Sequence, residues 1–363
     1  MNSSKCRIIC VGKRRDGGSK YWCIEHKADA TAKYGRRAAS CRYAHFPPLS
    51  PSEILELDVR RYSGGVALWG AVPPIYDTTS LAIDRGVHVH ARDIAGSDVK
   101  DIDSTFRSVR LFQDENTYVA DVSELDAIYY MVSTVFGFKM KYVQCIFCGF
   151  PHLDKDWFSV HVHRRHLCAG CGKQFRDDEK GIGNPAMKIR KLFPTKHKIK
   201  RAEQTINFRQ KDYPGGIQIW GSNPALLWTS HEDEEAGIHI HAFTHDVSKP
   251  ELDDTYSNVV IDDIRLDPSV VRVFMAQSAL PHIDGRVISL KCLHCGLSHF
   301  DQGEEAFTPH QTHVCRRCGS EFKSNQRIRN TIANPAVELF ERLSQHAIRP
   351  PQRHASNLLP ETL

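Results

Sequence analysis

Short apolar runs entered from glycine turns recur along the chain. Val66-Ala67-Leu68-Trp69 and Ile217-Gln218-Ile219-Trp220 each follow a Gly-Gly pair and predict short strands. Val87-His88-Val89-His90 and Ile238-His239-Ile240-His241 alternate aliphatic and imidazole side chains with period two, which also predicts strands. Tyr142-Val143 and Val287-Ile288-Ser289-Leu290 run as strands into pairs of cysteines. Asn184-Pro185 and Asn334-Pro335 predict helix starts, because Asn caps orphan N–H groups and Pro has none to lose at the first helical position. After Pro335, Val337, Leu339, Phe340 and Leu343 alternate with Glu338, Glu341 and Arg342 as on a half-buried helix.

These blocks occur twice in the same order. Gly64 to Gly70 reads against Gly215 to Gly221, Gly86 to Ala91 against Gly237 to Ala242, Thr105-Phe106 against Thr255-Tyr256, and Asn184 to Ala186 against Asn334 to Ala336. A repeat of this size is a domain rather than a solenoid unit. The expected fold class is α+β: a tandem duplication of a β-rich domain, each copy ending in a four-cysteine zinc ribbon and a capped helix. The expected divisions are an N-terminal basic Cys/His knuckle over 1–46, copies over 58–193 and 208–345, a basic linker over 194–207 and a tail over 346–363. His45-Phe46-Pro47-Pro48-Leu49-Ser50-Pro51 marks the first join.

Hydrophobic residues at 41% and charged residues at 25% exclude a wholly disordered chain and a coiled-coil rod. No apolar run approaches the roughly 18 residues of a membrane span, so no membrane partner is expected. The start, Met1-Asn2-Ser3-Ser4-Lys5-Cys6, lacks an apolar core behind a basic end, and the expected compartment is the cytoplasm. The net charge of +5 permits an anionic partner without requiring one.

All 12 cysteines sort into three groups of four. In a reducing compartment such groups bind metal more often than they form disulfides. Cys145, Cys148, Cys168 and Cys171 share the spacing of Cys292, Cys295, Cys315 and Cys318, 147 residues later. Two Cys-x-x-Cys turns place four thiolates around one tetrahedral Zn²⁺, a closed shell that stabilises the fold and leaves no position for a substrate. Gly149, Gly172, Gly296 and Gly319 follow the pairs where a knuckle turn needs positive φ, and Phe175 and Phe322 are placed to pack on it. The motif resembles zinc ribbons over these modules alone. At the N-terminus Cys10, Cys23, His26 and Cys41 offer a third zinc site, with Cys6 competing for one place. Lys13, Arg14 and Arg15 beside it, and Lys196, Lys198, Lys200 and Arg201 in the connector, suit phosphate contacts.

Both copies keep the same histidines: His88/His239, His90/His241, His152/His299, His163/His310 and His166/His313, with Asp154/Asp301 in an His-x-Asp pair. On a strand, residues i and i+2 share a face, so His88 and His90 can reach one ion. His152 with Asp154, or His163 with His166, are candidates to complete the site, as are His299 and Asp301 beside His239 and His241. An ion with an open position makes a hydrolytic nucleophile of water. The alternative is structural: His163 and His166 donate to zinc-bound sulfurs or carbonyls, His152 and Asp154 pin a hairpin, and His88 and His90 pack a polar face. His-aliphatic-His on a strand also resembles the metal motif of HUH endonucleases. That resemblance implies a tyrosine nucleophile, and Tyr118, Tyr129, Tyr130 and Tyr256 have no matched counterpart in the other copy. Trp69 and Trp220 read as core residues. Phosphate-loop, dinucleotide and nucleophile-elbow motifs are absent.

Three functions follow as expectations. The leading one is a zinc-stabilised nucleic-acid-binding protein. The others are a metal-dependent hydrolase, a phosphodiesterase or nuclease with its site in a cleft between the copies, and a zinc-ribbon adaptor for a protein partner.

Overall fold

Each alternating His strand lies inside a four-stranded sheet. The computed structural model describes the strand backbones Ile8–Lys13, Ser19–Cys23 and Ala28–Asp29, then residues 54–347 apart from 82, 101, 194–197, 246–248, 281–282, 284–285 and 325–329. The chain is mixed α and β, as the patterning predicts. In the first half, strand Gly65–Ala71 pairs with Gly86–Arg92, which pairs with Ser104–Phe106. In the second, Gly216–Gly221 pairs with Ile238–Phe243, which pairs with Leu252–Tyr256. Beside each lies a small three-stranded sheet, built from Ile54–Asp58, Ser108–Asp114 and Thr117–Ser123 in one half and Thr205–Phe208, Asn258–Ile261 and Ile264–Leu266 in the other. These sheets begin at residues 54 and 205, ahead of the expected starts at 58 and 208. The 194–207 connector also carries strand Ile199–Arg201, which pairs with Glu234–Ala236.

The fourth strand of each large sheet comes from the opposite half. Tyr76–Asp77 adds to Gly216–Gly221, and Leu227–Trp228 adds to Gly65–Ala71. The bonds are reciprocal. Leu226 N–H donates to Leu68 O at 2.8 Å and Ile75 N–H to Ile219 O at 2.9 Å. Val66 N–H donates to Thr229 Oγ1 at 2.7 Å and Ile217 N–H to Thr78 Oγ1 at 2.9 Å. Gly65 and Gly216 explain the Gly-Gly signature at this crossing. A Cβ on either would lie 2.7 Å from backbone of the other half, at Ser230 and Thr79, and both take positive φ, 113° and 106°. The apolar cores follow the exchange. Leu226 and Leu227 are buried with Val66, Leu68, Val87, Val89 and Ala91, whereas Tyr76 is buried with Ile217, Ile219, Ile238 and Ile240.

Four helices complete the described fold. Helix α1 (Glu124–Val135) starts in a Ser123/Asp126 capping box, α2 is Met187–Leu192, α3 (Pro268–Ser278) is capped by Asp267 with Pro268 in its first turn, and α4 is Ala336–Ala347. Helices α1 and α3 meet in a third core, where Ile128, Met131 and Val132 share a cluster with Met275 and Ala276. The Asn184 and Asn334 side chains each accept from the N–H two residues on, at 2.9 Å. The helices start slightly later than the Asn-Pro signal suggests, at Met187 and Ala336. No helix among the described residues is long and apolar enough to cross a membrane.

Candidate metal centres

The four-cysteine groups assemble as their spacing requires. Cys145 Sγ lies 3.7 Å from Cys171 Sγ and Cys148 Sγ 3.5 Å from Cys168 Sγ; the second group gives 3.6 Å for Cys292–Cys318 and for Cys295–Cys315. Zn–S bonds of about 2.3 Å in a tetrahedron set sulfurs about 3.8 Å apart. All eight cysteines are free thiols rather than disulfides, and both groups are compatible with structural zinc. Backbone N–H groups of Gly170 and Cys171 point at Cys168 Sγ, at 3.3 and 3.4 Å. Such donors favour the thiolate, but burial outweighs them at Cys168 and pushes that thiol up to about 12. Cys318 is drawn down to about 6 by the Ser320 hydroxyl and the Ser320 N–H.

Of the N-terminal candidates, Cys10 and Cys23 sit on strands Ile8–Lys13 and Ser19–Cys23, as does Lys13, while His26, Cys41, Arg14 and Arg15 lie outside the described residues. Lys196 lies outside them too. Lys198, Lys200 and Arg201 are exposed, with Lys200 Nζ 3.0 Å from Asp233.

The matched histidines fall into two separate groups in each half. His88 and His90 point their Nε2 atoms at one another, 2.8 Å apart. His90 Nε2 is 3.4 Å from Asp103 Oδ1, and His88 Nδ1 is 3.0 Å from Thr105 Oγ1. The second half repeats this atom by atom. His239 Nε2 and His241 Nε2 are 3.0 Å apart, Asp253 Oδ1 is 3.1 Å from His241 Nε2, and Thr255 Oγ1 is 3.1 Å from His239 Nδ1. Metal–N bonds of about 2.0–2.1 Å in a tetrahedron set ligand atoms about 3.3 Å apart, so two imidazoles and a carboxylate at this spacing fit one ion. The threonine is the orienting partner expected of such a site: with Nδ1–H donated to Oγ1, Nε2 is left as the lone-pair nitrogen. Asp103 and Asp253 lie with these histidines where His152 and Asp154, or His163 and His166, were expected to, while His152, Asp154 and His166 come together as a separate buried set.

Trp69 lies outside the described cores, whereas Trp220 packs on the third core, as expected, with its Nε1–H donated to Val72 O at 3.1 Å. Each stands over its His pair, with ring centroids 5.4 Å from His90 and 4.8 Å from His241. The side chains of His90 and Asp103 are 29% and 40% exposed, so the group opens to solvent. Yet His88 and His239 are pushed down to about 4, first by burial and then by the charge of the neighbouring His90 or His241. The two groups also feel each other: charge on His239 and His241 lowers His88, and charge on His90 lowers both His239 and Asp253.

The second histidine group is closed. Asp154 Oδ1 receives His152 Nε2 at 2.7 Å, His163 Nε2 at 3.1 Å and His166 Nδ1 at 3.4 Å, while Oδ2 accepts Gly183 N–H at 2.7 Å. Asp301 does the same with His299 at 2.8 Å, His313 at 3.3 Å and Ala333 N–H at 2.6 Å, and His310 Nε2 stands 3.5 Å away. Burial raises each acid, but the imidazole hydrogen bonds outweigh it and hold both far below the usual carboxylate range. His152, Asp154, His299 and Asp301 are all 6% exposed or less, which gives a substrate no approach. His163 and His166 turn to this carboxylate, and Asp154 and Asp301 tie the hairpin to the strand end before α2 or α4.

The tyrosines implied by the HUH resemblance lie elsewhere. Tyr129 and Tyr130 are buried in α1, bonded to Asp156 and Arg190; Tyr256 is buried in the second core; Tyr118 is exposed on the Thr117–Ser123 strand. Comparison with protein-family models, curated proteins and solved structures returns no match.

Proposed function

We propose that the chain is a metal-dependent hydrolase whose reaction centre is the pair of His-His-Asp groups. One observation carries this reading: in both halves two Nε2 atoms and a carboxylate converge within 4.8 Å, open to solvent, with one imidazole oriented through Nδ1 by a threonine. His88, His90 and Asp103 would hold one ion, and His239, His241 and Asp253 the other. Such an ion supplies Lewis acidity, polarising a substrate oxygen and acidifying water beside it. Thr105 and Thr255 fix the imidazole tautomer, and Trp69 and Trp220 stand over the His pairs. The four-cysteine modules hold their zinc in closed shells and take no part in the reaction.

The test is metal content and hydrolysis of a chromogenic aryl phosphodiester, with His88→Ala and His239→Ala singly and together. We expect each single variant to lose about one ion and the double variant about two, all of them keeping the four-cysteine metal, unfolding at an unchanged temperature and losing activity. Variants that keep full metal and activity, or that unfold, would overturn the reading. A ferrous ion coupled to oxygen consumption would replace hydrolysis with oxidation, since two histidines and a carboxylate also suit that metal.

A second reading, a zinc-stabilised nucleic-acid-binding protein, is supported by the exposed cations Lys200 and Arg201 on one short strand and Lys198 just before it. A fall of affinity with salt tests it.

A further inference from the structure

The four-cysteine modules align without a gap from His152 to Cys168 and from His299 to Cys315, and their buried residues agree. The surface between them does not. Where the first half carries Lys155, Trp157, Phe158, His161, Arg164 and Arg165, the second carries Gln302, Glu304, Glu305, Thr308, Gln311 and Thr312. The backbone beneath is the same: a 3-10 turn over Asp156–Val160 or Gly303–Ala306, with Asp156 and Gly303 both left-handed at φ 52° and 62°. At these six positions a shared scaffold therefore presents aromatic and basic side chains in one half and acidic and neutral ones in the other, while Arg176 on the facing strand has its counterpart in Lys323.

Trp157 and Phe158 are 47% and 50% exposed. With Phe147 of the same module, they are three of the four strongly exposed aromatic rings among the described residues; the second module has none. Trp157 is stacked on His161 at 3.8 Å with planes 10° apart, so a flat platform is already built. Arg165 lies directly opposite Arg176 across the hairpin, a like-charge pair that costs stability unless an anion sits between the two. Arg164, Arg165 and Arg176 are exposed. Lys173 lies over Phe147 at 4.9 Å. Rings that stack on bases, flanked by exposed guanidinium groups that meet phosphates, are the two halves of single-strand recognition. A protein partner would bury the rings but would leave the facing arginines Arg165 and Arg176 without a reason.

We propose that this flank of the first four-cysteine module binds single-stranded nucleic acid, with bases on Trp157 and Phe158 and phosphates on Arg164, Arg165 and Arg176. The proposal rests on the nucleic-acid-binding reading and is independent of the hydrolase reading. Its test is fluorescence anisotropy of labelled oligothymidylate and oligouridylate with the full chain, alongside a duplex of equal length, at several salt concentrations.

Transplanting the second half's residues, as Trp157→Glu with Phe158→Glu, is expected to weaken single-strand binding about ten- to a hundredfold. Arg164→Gln with Arg165→Thr is expected to lower the salt slope by about 1.4, two phosphate contacts of a single strand. Unchanged metal content and unfolding temperature show that the variants fold. If they do not fold, the exposed single change Arg176→Gln must still lower the slope by about 0.7. Binding that these changes leave intact, or duplex binding as tight as single-strand binding, would overturn the proposal while leaving nucleic-acid binding itself standing. No binding at low salt would end both.

Discussion

In the first half His88 Nδ1 lies 3.0 Å from Thr105 Oγ1, and in the second His239 Nδ1 lies 3.1 Å from Thr255 Oγ1. At the four-cysteine modules the same comparison splits: the buried histidines and aspartate match, and the outer flank changes from tryptophan, phenylalanine and arginine to glutamate, glutamine and threonine. Positions that must hold a distance of a few tenths of an ångström are kept in duplicate. Positions that face water are free to acquire different partners. The two halves thus agree at their buried and clustered histidines and differ at the exposed flank of the four-cysteine modules.

That comparison can be broken first at the modules themselves. Cys148→Ser and Cys295→Ser should each release one metal ion and unfold that module, because binding of a structural zinc contributes about 10 kcal/mol or more to such folds. Circular dichroism and metal analysis would read this. Equal loss in the two halves keeps the comparison, and a module that stays folded on its His–Asp cluster alone breaks it.

The exchanged strands offer the next largest effect. Leu227 belongs to the second half yet is buried in the first core, so Leu227→Ala should cost about 2–5 kcal/mol and speed amide exchange in Gly65–Ala71. The matching change in the first half, Tyr76→Ala, should loosen Gly216–Gly221. Exchange confined to the mutated half in either case would contradict the crossing.

Acid should act on both halves alike. A free imidazole titrates near 6.5, and His88 and His239 are held at about 4 in the folded chain. Between those values the unfolded chain binds protons that the folded chain does not. Metal-free protein should therefore lose stability as pH falls from about 6.5 to about 4, and His88→Gln with His239→Gln should flatten that slope in urea titrations. An unchanged slope would place the acid sensitivity elsewhere.

The smallest effect concerns an ion pair that joins the halves outside the sheets. Arg92 Nη1 lies 2.9 Å from Glu232, whose side chain is 73% exposed. Arg92→Gln should cost under about 1 kcal/mol in thermal unfolding, and a larger cost would mean the halves lean on this contact.

Much of this architecture was legible in the residues. The alternating His strands, the glycine entries, the Asn caps and both thiolate groups could be read because each rests on local geometry. Asp103 and Asp253 were overlooked although each stands two residues before a matched threonine, in Asp-Ser-Thr and Asp-Asp-Thr. Their role depends on a neighbouring strand. Helix α1 was overlooked because Asp126 to Ser133 is buried on every side, which removes the polar face that marks helical period. Its Ser123-x-x-Asp126 box, and Asp267-Pro268 before α3, were the available signals. The strand exchange had no local signature beyond glycine, since two halves with the same pattern fit a separate or a crossed arrangement equally well.

The crossing also sets a schedule. Val66 receives its edge partner from Thr229, 163 residues later in the chain. At ordinary rates of synthesis that separation is roughly ten to thirty seconds, throughout which the first sheet stands with an open apolar edge. A nascent chain of this protein is thus at its most vulnerable after its first half has been made, and any truncation between the two crossing strands would leave that vulnerability permanent.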